Sequence, residues 1–162
     1  MSEQILGVDI NQQDDLSQFN LGQKYVNPST GNTYRYVRAA AAKTIGLIYS
    51  FDETYTVAAS ALVKTDISAN AGISHQTTTA ADTANGYTYK HFWIQTAGNF
   101  GRIEAAAASA DNAQCYSTST AGKVDDGDDS GKTIKGMIFT AAAGSATNTT
   151  GYSGQELYHS VA

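Results

Sequence analysis

The sequence predicts an all-β fold, an antiparallel β-sandwich or barrel with an extended N-terminal arm (residues 1–20), a core (21–142) and a flexible C-terminal tail (143–162). Three observations predict it. Charged residues make up only 15% of the 162-residue chain, against about 25% in an average soluble domain, while Thr, Ser, Gly and Tyr abound. Such β-branched and aromatic side chains suit a pleated, half-buried surface. Short segments alternate apolar and polar residues between frequent turn signals. No long apolar stripe recurs at the 3.6-residue spacing that a helix bundle needs.

The elements follow in order. Leu6, Val8 and Ile10 alternate with Gly7 and Asp9 as a short strand, and Leu16 and Phe19 stand as isolated apolar anchors. An arm of this kind has too little apolar surface to fold by itself, so it is either disordered or laid on another surface. Lys24-Tyr25-Val26 leads through Asn27-Pro28-Ser29-Thr30-Gly31-Asn32 into Thr33–Ala39, a hairpin with its turn chemistry in place. Tyr34, Tyr36 and Arg38 share one face of the second strand, and Val37 and Ala39 the other. Ile45–Phe51 forms the next strand, Asp52-Glu53 a turn, and Tyr55 to Val63 a further strand or two. Loops surround a short strand near Ile73. Asn85-Gly86 then marks a tight turn before the strongest strand, Tyr87–Gln95, in which Trp93 and His91 oppose Phe92 and Ile94. Gly98 and Gly101 bracket another turn. Arg102–Ala108 continues as a strand or a single helical turn, Gln114–Thr120 as a strand, and Ile134–Phe139 as the last core strand. Residues 143–154, rich in Gly, Ser, Thr and Asn, read as the flexible tail.

Composition narrows the function. A net charge of −5 argues against a nucleic-acid partner, which would call for a basic patch. No apolar run is long enough for a membrane-spanning helix. The Met-Ser-Glu-Gln start has neither a basic n-region nor an apolar h-region, so no secretory signal is expected there. One Cys allows no internal disulfide. Asp125, Asp126, Asp128 and Asp129 form an acidic loop of the kind that binds Ca²⁺. The EF-hand pattern fails, however, because the twelfth position counted from Asp126 is Met137 rather than Glu. Gly127 to Thr133 is one residue short of a phosphate-binding loop, and its aspartates would repel phosphates. His75, His91 and His159 lack the spacing of a zinc site, and no Gly-x-Ser-x-Gly elbow is present. No catalytic set, metal site or cofactor is therefore expected. Tyr25, Tyr34, Tyr36, Tyr87, Tyr89 and Trp93 are candidates either for a sugar-stacking platform or for core and subunit-interface packing.

A family resemblance rests on four segments: Gly31-x-x-Tyr34-x-Tyr36-Val37-x-Ala39, Phe92-Trp93-Ile94-Gln95-x-x-Gly98, Ser119-Thr120-Ala121-Gly122-x-Val124-Asp125, and Ile134-x-Gly136. In this order they resemble the small head decoration, or cement, proteins of tailed bacteriophages. The resemblance spans residues 20–142 and is carried by strand and turn patterns, not by reactive residues. It implies a β-rich virion protein, made in the host cytoplasm. Such a protein sits on the outer surface of the expanded icosahedral head and bridges major capsid protein subunits against the pressure of packaged DNA. It further implies a homotrimer at local threefold positions, or a dimer at twofold positions. The expected capsid- or subunit-interface residues are Leu6, Val8, Ile10, Leu16 and Phe19 of the arm, with Tyr34, Tyr36, Arg38 and Trp93 of the strands. The alternative expectation is a carbohydrate-binding β-domain of a phage fibre or surface appendage, using the aromatic faces.

Overall fold

In the computed structural model the described residues are 8–127 and 132–161. Their strands are β1 (Gln13–Asp14), β2 (Lys24–Val26), β3 (Thr33–Ala39), β4 (Ile48–Phe51), β5 (Ala69–Ile73), β6 (Lys90–Glu104), β7 (Gln114–Ser117), β8 (Val124–Asp125), β9 (Lys132–Phe139) and β10 (Asn148–Val161). The fold is all-β, and among the described residues the sole helical element is a 3-10 turn at Thr83–Asn85, closed by Gly86 with φ 85°. All ten strands join one antiparallel sheet in the order β2-β3-β6-β5-β10-β9-β7-β8, with β1 on β6 and β4 on β5.

β6 is the spine. Its first half pairs with β3 (Tyr36↔Trp93, Val37↔Phe92) and its second half with β10 (Gly151↔Phe100, Tyr152↔Asn99). The sequence reads a turn between Gly98 and Gly101, yet the strand runs through both. Gly98 has φ 97°, and a Cβ there would lie 2.3 Å from Asn32 Oδ1. Glycine thus bends the strand while the ladder continues.

The C-terminal segment corrects the sequence reading. Residues 148–161 are not a flexible tail but β10, a 14-residue strand paired with β5, β6 and β9. Its inward positions are Thr149, Gly151, Ser153, Leu157 and His159, all buried. Most of these are small or polar, so the period-two pattern carries little hydrophobic contrast. The apolar bulk comes from neighbouring strands: a Cβ on Gly151 would lie 3.0 Å from Ile103 Cδ1. Between Ser153 and Tyr158 the register with β9 shifts around Gly136, φ 80°. Glu156, in this irregular stretch, accepts hydrogen bonds from Arg35 Nε (3.1 Å) and Nη2 (2.9 Å), which joins β10 to β3. Residues 55–63 also differ from expectation: instead of strands they make isolated bridges, Arg38↔Thr56 and Phe51↔Val57, around Tyr55 at φ 58°.

Apolar side chains gather in three clusters. The largest, including Ile73, Phe100, Ile103, Ile134, Met137 and Phe139, fills the end built by β5, β6, β9 and β10. Val37, Phe51, Phe92 and Ile94 form a second, and Tyr34, Tyr36 and Trp93 a third. The β3–β6 pair is therefore covered on both faces, as the two-sided apolar pattern of 87–95 foretells.

Candidate binding surfaces

The third cluster decides what the expected interface residues do. Val8, Ile10, Phe19, Leu21 and Tyr25 pack against Tyr34, Tyr36 and Trp93. The Phe19 ring stands edge-on to Tyr36 at 5.2 Å and to Trp93 at 5.3 Å. β1 adds to the edge of β6 (Gln13↔Phe92, Asp14↔His91), and Lys90 Nζ pairs with Asp15 Oδ1 at 2.6 Å. The Lys90 hydrogen bond is the main cause that holds the Asp15 carboxyl below its ordinary pKa. Backbone groups join in: Ile10 O lies 2.9 Å from His75 Nε2, and Gln18 N donates to the Tyr36 hydroxyl at 3.1 Å. The sequence leaves the arm without a place on its own subunit. The structure gives residues 8–20 one, because the aromatic face of β3 and β6 is their partner. Leu16 points away and is 62% exposed, and Leu6 lies outside the described residues. Trp93 and Tyr36 are each 1% exposed, so no sugar can stack on them in this arrangement. Arg38 is also internal in role: its Nε donates to Thr56 Oγ1 at 2.9 Å, and its guanidinium lies 4.4 Å from the Tyr89 ring centroid.

Cys115, Lys43, His91 and His159 are buried, and His75 is half-buried. Cys115 is enclosed, and burial pushes its thiol pKa up. His159 Nε2 lies 2.9 Å from Ser117 Oγ, a spacing that suits a base and a nucleophile. Both residues are closed to substrate, and the Ile67 carbonyl, 3.3 Å from Nδ1, stands where an orienting carboxylate would. Burial lowers the pKa of both His159 and His75. Lys43 is fully enclosed; its Nζ donates to Ala58 O (2.6 Å) and Ala59 O (3.1 Å), and burial pulls its pKa down to about 8. In the acidic loop, Asp126 Oδ2 accepts from Ala110 N at 2.7 Å, while Asp128 and Asp129 lie outside the described residues. Among the described residues no three His, Cys, Asp or Glu side chains come together as a metal site.

Among the described residues two surfaces, which meet at Tyr158, stand open. One is the outer face of β9 and β10. Register places Tyr152 beside Ile138 and Tyr158 beside Lys135, and Thr140 Oγ1 meets Thr150 Oγ1 at 2.8 Å. Tyr152 is 42% exposed. The other is a cleft of about 670 Å³ formed by β4, β5, residues 52–59, Tyr89 and Tyr158. Phe51, Asn70 and Tyr158 lie side by side across β4, β5 and β10, and Ile67, 83% exposed, stands at the rim. The sequence reading missed this cleft, because its walls come from segments more than a hundred residues apart. The alternation of Leu157, Tyr158 and His159 was the available signal for Tyr158.

Comparison with protein-family models, with curated proteins and with solved structures finds no match to this chain.

Proposed function

We propose that this chain is a head decoration protein of a tailed bacteriophage. It attaches to the outer surface of the expanded shell and bridges neighbouring major capsid protein subunits, as a trimer at local threefold positions or a dimer at twofold positions. The observation that carries the reading is the outer face of β9 and β10. It carries the exposed Tyr152 and Tyr158 with half-buried Ile138 and paired threonines, on a domain whose Cys115, Lys43, His91 and His159 side chains are buried. Exposed apolar and aromatic side chains on an outer sheet face serve protein contact, and Tyr is enriched where such contacts form. The four segments that resemble decoration proteins support it further. They map to the β2–β3 turn with β3, the first half of β6, the turn into β8, and β9, which are the frame of the sheet. A protein that binds the assembled lattice and not the free subunit stabilises the shell by its binding free energy. The arm, seated on its own domain over residues 8–20, acts in this scheme by bracing the β3–β6 face; Leu16 is its outward contact.

The test is co-sedimentation with expanded and unexpanded heads assembled from the cognate major capsid protein, followed by electron cryomicroscopy of the loaded particles. Saturable binding to expanded heads alone is expected, with Tyr152→Asp lowering occupancy. Failure to bind heads in either state would remove the proposal.

A further inference from the structure

We propose that the cleft between β4, β5 and Tyr158 binds a neutral, hexose-containing glycan. The inference does not rest on attachment to a head, although Tyr158 borders both the cleft and the outer face of β9 and β10.

The cleft is held in shape from behind. Lys43 ties down the wall at 58–59 through both carbonyl contacts and lies 4.8 Å from the Tyr49 ring centroid. Arg38 joins opposite walls, since the side chain that bonds Thr56 also stacks on Tyr89. Asp52 closes its own turn, its Oδ1 accepting from Thr54 N, Thr54 Oγ1 and Thr56 N, each within 2.9 Å. Burial opposes ionisation of Asp52, and these hydrogen bonds outweigh it, leaving its pKa below the ordinary value. A concavity fixed this way needs little reordering to receive a ligand, which favours affinity. Its volume falls within the roughly 300–1,000 Å³ of small-ligand sites.

The lining states the ligand's chemistry. Tyr158, exposed, and Tyr89, half-buried, present aromatic surface of the sort that covers the apolar face of a pyranose ring, while Phe51 belongs to the buried part of the lining. The side chains of Asn70 and Glu53 line the cleft and are exposed. An amide supplies a donor and an acceptor together, and a carboxylate supplies acceptors, a combination that matches neighbouring sugar hydroxyls. No Lys or Arg is among the lining residues, whereas Asp52 and Glu53 are. Arg38 and Lys135 stand against the Tyr89 and Tyr158 rings and not among the lining residues, so a phosphate, sulfate or sialic acid would find carboxylates and no lining cation to pair with. With Asp52 engaged in its turn, the free acidity is that of Glu53, a weak attraction for a cationic peptide but a sufficient acceptor for hydroxyls.

The experiment uses the full chain on an array of neutral, sulfated and sialylated oligosaccharides with a Lys-rich peptide beside them, and titrates each hit by calorimetry. Neutral hexose oligosaccharides are expected to bind, and Tyr158→Ala and Asn70→Ala each to weaken them by about tenfold or more, with unchanged thermal melting. Val26→Ala, an exposed apolar position on β2 away from the cleft, is expected to leave affinity unchanged. Three results would overturn the proposal: no neutral glycan bound, anionic glycans or the peptide bound in preference, or neutral-glycan affinity untouched by both cleft substitutions.

Discussion

Phe19 meets the indole of Trp93 edge-on at 5.3 Å, and the same ring meets Tyr36 at 5.2 Å. One arm residue thus covers two side chains that are otherwise almost fully enclosed. Phe19→Ala removes both aromatic contacts and opens space above Trp93. A fully buried Phe costs about 3–5 kcal/mol on truncation, and the half-buried Phe19 is expected to cost about 2–3 kcal/mol by the same reasoning. Urea unfolding gives the loss, and Trp93 fluorescence should shift to longer wavelength. Leu16→Ser, on the outward side of the arm, is expected to stay within about 0.5 kcal/mol of the parent.

Acid weakens the fold through two histidines. Burial lowers the pKa of His75 and His159 in the folded chain, so between the folded and unfolded values the unfolded chain binds more protons. Stability is then highest above the unfolded value, about 6.5, and falls as pH drops below it. The urea midpoint should decline from pH 7.5 to pH 5. His75→Gln should flatten that decline, and an unchanged pH profile in the variant would contradict the assignment.

Lys43 produces a trend of the same sign on the alkaline side. Burial pulls its pKa to about 8 in the fold, against an ordinary value of 10.5. The unfolded chain therefore binds more protons between these values, and stability rises as pH climbs from about 8. The rise is expected between pH 7.5 and 9.5, below the range in which the buried Tyr34 and Tyr36 would resist ionisation. Lys43→Met should abolish the slope.

Backbone geometry separates two glycines of the same strand. Gly98→Ala sets a Cβ 2.3 Å from Asn32 Oδ1 at φ 97°, and a loss of about 2 kcal/mol or more is expected. Gly101→Ala has nothing within 4 Å of the new methyl, and its effect should remain within about 0.5 kcal/mol. Thermal melts of the two variants check both.

Removing residues 148–162 takes away the partner of β9 and of the second half of β6. The shortened chain is expected to lose cooperative unfolding and to become sensitive to protease. A flexible tail would have left both properties unchanged.

How far the sequence reads as structure depends on contrast. In β3 and β6, large apolar residues alternate across the strand, and the split of Val37, Phe92 and Ile94 from Tyr34, Tyr36 and Trp93 is visible before folding. In β10 the inward residues Thr149, Gly151 and Ser153 are small or polar because Ile103 and Met137 fill the space, so the same alternation is silent. The arm's apolar residues and the aromatic face they cover are each legible. Their meeting depends on β1 finding the edge of β6, which no local pattern states. The cleft depends on the lateral register of Phe51, Asn70 and Tyr158 on three strands, a relation absent from any single window of sequence.

The position of β10 also bears on how the molecule is made. The sheet's interior seam between β6 and β9 stays vacant until residue 161 has emerged from the ribosome. Until then β6 offers unpaired backbone to any neighbouring nascent chain. Synthesis at high local density therefore favours cross-chain pairing, and a slower supply of chains, or a chaperone shielding that strand, should raise the yield of correctly folded protein.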